Sequence, residues 1–150
     1  MAKKIRVINT GNGGIPNVFP PKLLVKSGTV GSIANGDLVV KDGSNAGYAA
    51  KAADGTASTA VIAGVAAMRS TETGSLDGIV EIVHDKELLV EIYAKVPANL
   101  TVAKRLSKYV LDVTGDDVTL DESNTTNGFI TLLDYDASTG LCRALIACSL

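Results

Sequence analysis

Short runs rich in Val, Ile, Leu and Tyr, each cut off by Gly, Asp or Asn, leave this chain few folds to choose from. Ten such runs can be placed: 23–26, 37–41, 48–52, 60–68, 78–84, 88–95, 109–113, 117–120, 129–133 and 141–148. Runs this short, divided by turn residues at regular spacing, predict an all-β sandwich or barrel. At 150 residues one domain is expected, large enough to bury a core without metal or disulfide support.

Alternation is plainest in Leu88-Leu89-Val90-Glu91-Ile92-Tyr93-Ala94-Lys95, where Leu88, Val90, Ile92 and Ala94 share a buried face. Val80 and Ile82 flank Glu81 just before it, and His84-Asp85-Lys86-Glu87 supplies a turn, so a hairpin is predicted. The last run, Leu141 to Cys148, is apolar on both faces apart from Arg143, which places it centrally or at a subunit contact. Between the runs, Asn99 to Leu106 carries a cap residue and apolar positions Leu100, Ala103 and Leu106 on one side, enough for one short helix. Thr101 and Val102 weaken it.

The first 21 residues read differently. Asn9-Thr10-Gly11-Asn12-Gly13-Gly14 is a punctuation run, and Pro16, Pro20 and Pro21 block ladder or helix across it. Residues 1–21 are therefore expected as an extended arm, and residues 22–150 as the β-rich barrel domain. Within that domain two halves echo each other loosely. Gly36-Asp37-Leu38-Val39 with Val61 to Ala66 and Ile79 to Val83 parallels Tyr109-Val110-Leu111 with Phe129 to Leu132 and Leu141 to Ile146. Gly64 and Gly128 hold matching places; duplication and shared turn rules both account for the echo.

Charge narrows the function. A net charge of −2 with scattered Lys and Arg gives no field for nucleic acid or an anionic membrane. No apolar stretch reaches the length of a membrane span, and the basic start lacks the apolar core of a secretory signal, so synthesis in a cytoplasm is expected. If Leu141 to Cys148 is one straight strand, Cys142 and Cys148 stand about 20 Å apart and cannot bridge. They read as buried, unreactive thiols.

Catalytic and metal constellations are sparse. His84 is the single histidine, next to a turn aspartate, with no nucleophile elbow accompanying it. The two cysteines lack the close pairs of a zinc site, and Asp112, Asp116, Asp117, Asp121 and Glu122 lack the spacing of a calcium loop. These acids read as turn residues. Asp134 and Asp136 lie in a predicted hairpin loop, and Gly11-Asn12-Gly13-Gly14 lacks the Lys and helix of a phosphate cradle. With no Trp and well-separated Phe and Tyr, a stacking platform for sugars or bases is disfavoured. No catalytic residue, metal ligand or cofactor site is assigned.

The motif Gly36-Asp37-Leu38-Val39, followed by an Ala-rich stretch and then by Ile62-Ala63-Gly64-Val65-Ala66 and Gly78-Ile79-Val80-Glu81-Ile82, resembles the head decoration (cement) proteins of tailed bacteriophages. The resemblance spans roughly residues 25–150. It implies a β-barrel or β-tulip-like domain that trimerises on the outer surface of the capsid, made in the host cytoplasm, with the major capsid protein as partner and no reaction performed. By the same resemblance, an arm reaching over capsid subunits would use Lys3, Lys4, Arg6, Ile15, Pro16, Val18, Phe19 and Pro20. Val65, Leu145 and Ile146 would serve the core or the oligomer contact. The charged insert from Lys95 to Lys108 departs from that pattern. Other readings are a tail or fibre accessory protein, or a carbohydrate-binding β module using Tyr93 or Tyr135.

Overall fold

The computed structural model describes residues 1–10 and 21–150. It is all-β. Among the described residues eleven strands run β1 (Arg6–Thr10), β2 (Lys22–Val25), β3 (Leu38–Lys41), β4 (Ala49–Lys51), β5 (Ile62–Ala66) and β6 (Gly78–Val83). Then follow β7 (Glu87–Tyr93), β8 (Lys108–Thr114), β9 (Asp117–Asp121), β10 (Ile130–Tyr135) and β11 (Leu141–Ala147). All ten predicted runs are strands, with ends displaced by no more than two residues. The predicted short helix resolves into two single 3₁₀ turns, Pro97–Asn99 and Val102–Lys104. Pro97 and the β-branched Val102 leave no room for a longer α-helical run.

Strands β2 to β6 form a closed barrel in the order β2-β4-β3-β5-β6, and β1 and β7 to β11 form a six-stranded sheet in the order β1-β7-β11-β10-β8-β9. The two share one plan. In the barrel, β6 pairs with β5 and β2, and β3 pairs with β5 and β4, all antiparallel. In the sheet, β11 pairs with β10 and β7, and β8 pairs with β10 and β9, again antiparallel. Each ring then closes between its first and third strand by a parallel pair, Val25 with Ala49 and Ala94 with Leu120. Lys95 N donates to the Leu120 carbonyl at 2.9 Å to fix the second closure. The chain thus uses one five-strand pairing plan twice, as a closed barrel in the first ring and as a curled sheet joined by an isolated bridge in the second.

Gly64 and Gly128 do not hold the matching places the sequence suggested, since Gly64 pairs with Val39 where Ile130 pairs with Tyr109, but each marks a tight point in its own ring. A Cβ on Gly64 would stand 2.2 Å from the Val83 carbonyl oxygen, and one on Gly128 would stand 2.5 Å from the Lys108 carbonyl. No side chain fits where two backbones approach that closely.

The predicted β6–β7 hairpin is not formed. Strand β6 pairs within the first ring and β7 within the second, so residues 84–86 cross between the rings. Local alternation gave both strands correctly, but partner choice was decided by the faces they bury. The rings share a continuous core in which Leu38, Ala52, Ile62 and Val65 of the first pack with Leu88, Leu111, Ile130 and Ile146 of the second. A separate cluster, including Val39, Ala63, Val80 and Ile82, fills the first ring's interior.

The start of the expected arm is built into this body. Ile5 is buried in the shared core, β1 pairs antiparallel with β7, and Ile5 N donates to the Gly36 carbonyl at 3.1 Å. The apolar side chains of Ile5 and Val7 gain burial there, and β1 satisfies an edge of β7.

Candidate functional site

The outward face of the second ring's sheet combines half-buried apolar residues with a row of charged ones. Strand alternation turns Val90, Ile92, Cys142, Ala144 and Ile146 inward. It turns Leu89, Glu91 and Tyr93 of β7 outward, beside Leu141, Arg143 and Leu145 of β11. Across four neighbouring strands the register lines up Arg6, Glu91, Arg143 and Asp134, alternating in sign. Arg6 Nε donates to Glu91 Oε2 at 2.9 Å, and Arg105 extends the row with an ion pair to Asp134 at 3.8 Å. On one side of the row Leu89 lies opposite Leu145; on the other, Tyr93 lies opposite Leu141. Lys3 Nζ sits 5.7 Å from the Tyr93 ring centroid.

Two hollows lie along the charged row. One of about 240 Å³ is lined by Glu91, Asp134, Tyr135, Asp136, Leu141 and Arg143. The other, about 510 Å³, lies between Arg6, Tyr93 and the N-terminal residues. Asp136 accepts hydrogen bonds from Ser138 N at 2.8 Å and Ser138 Oγ at 2.6 Å, which hold its carboxyl below the usual carboxylate range. Asp136 is therefore ionised at neutral pH, the wrong state for a general acid.

The residues expected to contact a partner divide by position. Lys3 is anchored through its backbone, donating to Asp117 Oδ1 at 2.7 Å and accepting from Val118 N at 2.8 Å. Lys4 forms an ion pair at 2.5 Å with Asp37, whose other oxygen faces Lys51 at 3.7 Å. Arg6 lies on the outward face. Ile15, Pro16, Val18, Phe19 and Pro20 fall outside the described residues. Val65 and Ile146 are core residues, whereas Leu145 is half-buried on the outward face.

His84 is half-buried, with Nδ1 2.6 Å from the Ala63 carbonyl oxygen. Burial pushes the thiols of Cys142 and Cys148 up to about 11, so both stay protonated and weakly nucleophilic at neutral pH. Among the described residues no group of three or more His, Cys, Asp or Glu is placed to hold a metal ion.

Four acids that sequence reasoning left among turns, or did not single out, are buried: Asp37, Glu72, Asp112 and Glu122. Asp112 pairs with Lys95 at 2.6 Å and accepts from Thr114 and Thr119. Glu122 accepts from Val96 N at 3.2 Å and Asn99 Nδ2 at 3.1 Å, and Glu72 accepts from Ser32 N and Oγ, each at 2.5 Å. Each glutamate pins the connector between the first and second strand of a ring. No local spacing announces this role, because the donors lie 23 to 40 residues away in the chain.

Compared with known proteins, the chain matches no family model, no curated protein and no solved structure.

Proposed function

We propose that the chain is a non-catalytic structural protein that coats the outside of a tailed-phage head and reinforces its lattice of major capsid protein. The fold is a compact all-β barrel body, and the described residues hold no metal-ligand cluster, in keeping with a binding module. The observation that carries the reading is the outward sheet face: half-buried Leu89 and Leu145 beside a row of alternating charge, rigidly backed by the shared core. Such a face offers apolar contact with both signs of charge at fixed spacing, which favours one docking register over others.

In this reading the protein acts as a trimer, so that several individually weak contacts add through multivalency. A near-neutral net charge limits non-specific attachment to packaged nucleic acid. The test is co-sedimentation of the purified chain with heads of the phage that encodes it, followed by electron microscopy. Density over the head, lost in Leu89→Asp/Leu145→Asp, supports the reading. Density over the tail, or no association at micromolar concentration, overturns it.

A further inference from the structure

The repeated ring allows the protein to be compared with itself. Register pairs Lys41 with Ala49 in the first ring and Leu111 with Leu120 in the second, so Lys41 and Ala49 correspond to Leu111 and Leu120. Likewise Val39 pairs with Gly64 and Tyr109 with Ile130, which brings Ala63 into correspondence with Phe129. In the second ring Leu111, Leu120 and Phe129 are all buried in the core. In the first, these positions hold a methyl, a methyl and an exposed ammonium-bearing chain.

Ala49 and Ala63 are themselves buried, so the difference opens a shallow cleft above them rather than a hole in the core. A cleft of about 300 Å³ opens at the mouth of the first ring, lined by Leu23, Val40, Lys41, Tyr48, Ala49 and Ala63 together with Leu150. Barrel mouths are recurrent ligand sites, and this volume lies at the small end of their range. The first ring closes between β2 and β4 through the single pair Val25–Ala49, with Leu23 of the cleft two residues before Val25. Around an apolar floor, Lys41 contributes a cation at the rim. The Tyr48 hydroxyl is turned to Asp77 at 2.6 Å and so does not compete for Lys41.

We propose that this mouth binds a small amphipathic molecule, an apolar chain ending in one anionic group. The chain lies over Ala49 and Ala63 against Leu23, Val40 and the Tyr48 ring, and the anion meets the Lys41 ammonium. This inference is independent of shell binding, since the cleft lies on the first ring and the proposed docking face on the second.

Isothermal titration of the full chain with decanoate and with decanol tests it. Saturable one-to-one binding of decanoate is expected, with decanol binding about fivefold more weakly because it lacks the exposed charge contact. Ala49→Leu, which installs the second ring's residue, should weaken both ligands at least about tenfold while the far-ultraviolet circular dichroism is unchanged. Lys41→Gln alters an exposed side chain and should weaken decanoate alone; it decides the matter if Ala49→Leu fails to fold. Absence of saturable binding by either ligand overturns the proposal, as does binding that neither substitution changes.

Discussion

Glu72 and Asp112 show how single residues set the pH response of this protein. Burial pushes the Glu72 carboxyl upward, but hydrogen bonds from Ser32 and Ser70 outweigh it and leave the group below its ordinary value. Burial acts on Asp112 in the same direction and is outweighed by Lys95, Thr114 and Thr119. Because the folded values are depressed, the stability they contribute is complete above the unfolded carboxylate range of about 4 and is lost as pH falls through the folded values. Urea midpoints should therefore fall steadily from about pH 4 downward. Asp112→Asn should remove part of that slope and cost about 1–3 kcal/mol at neutral pH, read from urea curves at several pH values. Glu72 Oε2 is buried without a hydrogen-bond partner among the described residues, so Glu72→Gln tests whether the second oxygen costs the fold anything. The raised thiols lead to a further expectation. Cys142 and Cys148 should resist a thiol-specific chromogenic reagent at pH 7.5 and react fully after unfolding; fast reaction of native protein would show that the thiols are not protected.

At the scale of elements, β1 is the segment whose role changes most between sequence and structure. Three prolines and a glycine-rich run made the leading 21 residues look unsupported, yet Ile5 sits in the core and β1 lines an edge of β7. Ile5→Ala should destabilise the protein by about 2–5 kcal/mol, measured by urea unfolding, whereas a surface arm would give a change near zero. Removing residues 1–10 should likewise lower the thermal midpoint, so a truncation used to probe partner binding must be read beside a stability measurement. In β5, Gly64→Ala should cost about 1–3 kcal/mol or more, because the new methyl meets the Val83 carbonyl rather than a side chain that can turn away.

For the whole molecule, the decisive fact is that a closed barrel and a curled sheet of the same pairing plan share a continuous core, beside a smaller cluster inside the barrel. Leu38, Ile62 and Val65 are covered by residues of the second ring, so neither ring buries its apolar surface alone. A single calorimetric transition with matching van't Hoff and calorimetric enthalpies is expected. A fragment of residues 21–86 should be unfolded by circular dichroism. Two separate transitions would mean that the rings are independent domains.

Strand positions were legible along the chain because side-chain alternation and turn chemistry act over a few residues. The runs around Val39, Val80, Ile92 and Ile146 needed no distant partner to be recognised. Pairing was not legible in the same way. The β6 and β7 runs sit one turn apart and look like a hairpin, but each finds a better-matched edge elsewhere. The outward face is equally non-local, since Arg6, Glu91, Arg143 and Asp134 become neighbours only when β1, β7, β11 and β10 lie side by side. The sequence by itself determined the all-β class and the positions of β2 to β11, but not β1, whose residues it read as part of an extended arm. Which faces meet, which carboxylates are buried and where the cleft beside Lys41 opens were decided by tertiary structure, because burial and register depend on contacts between residues far apart in the chain.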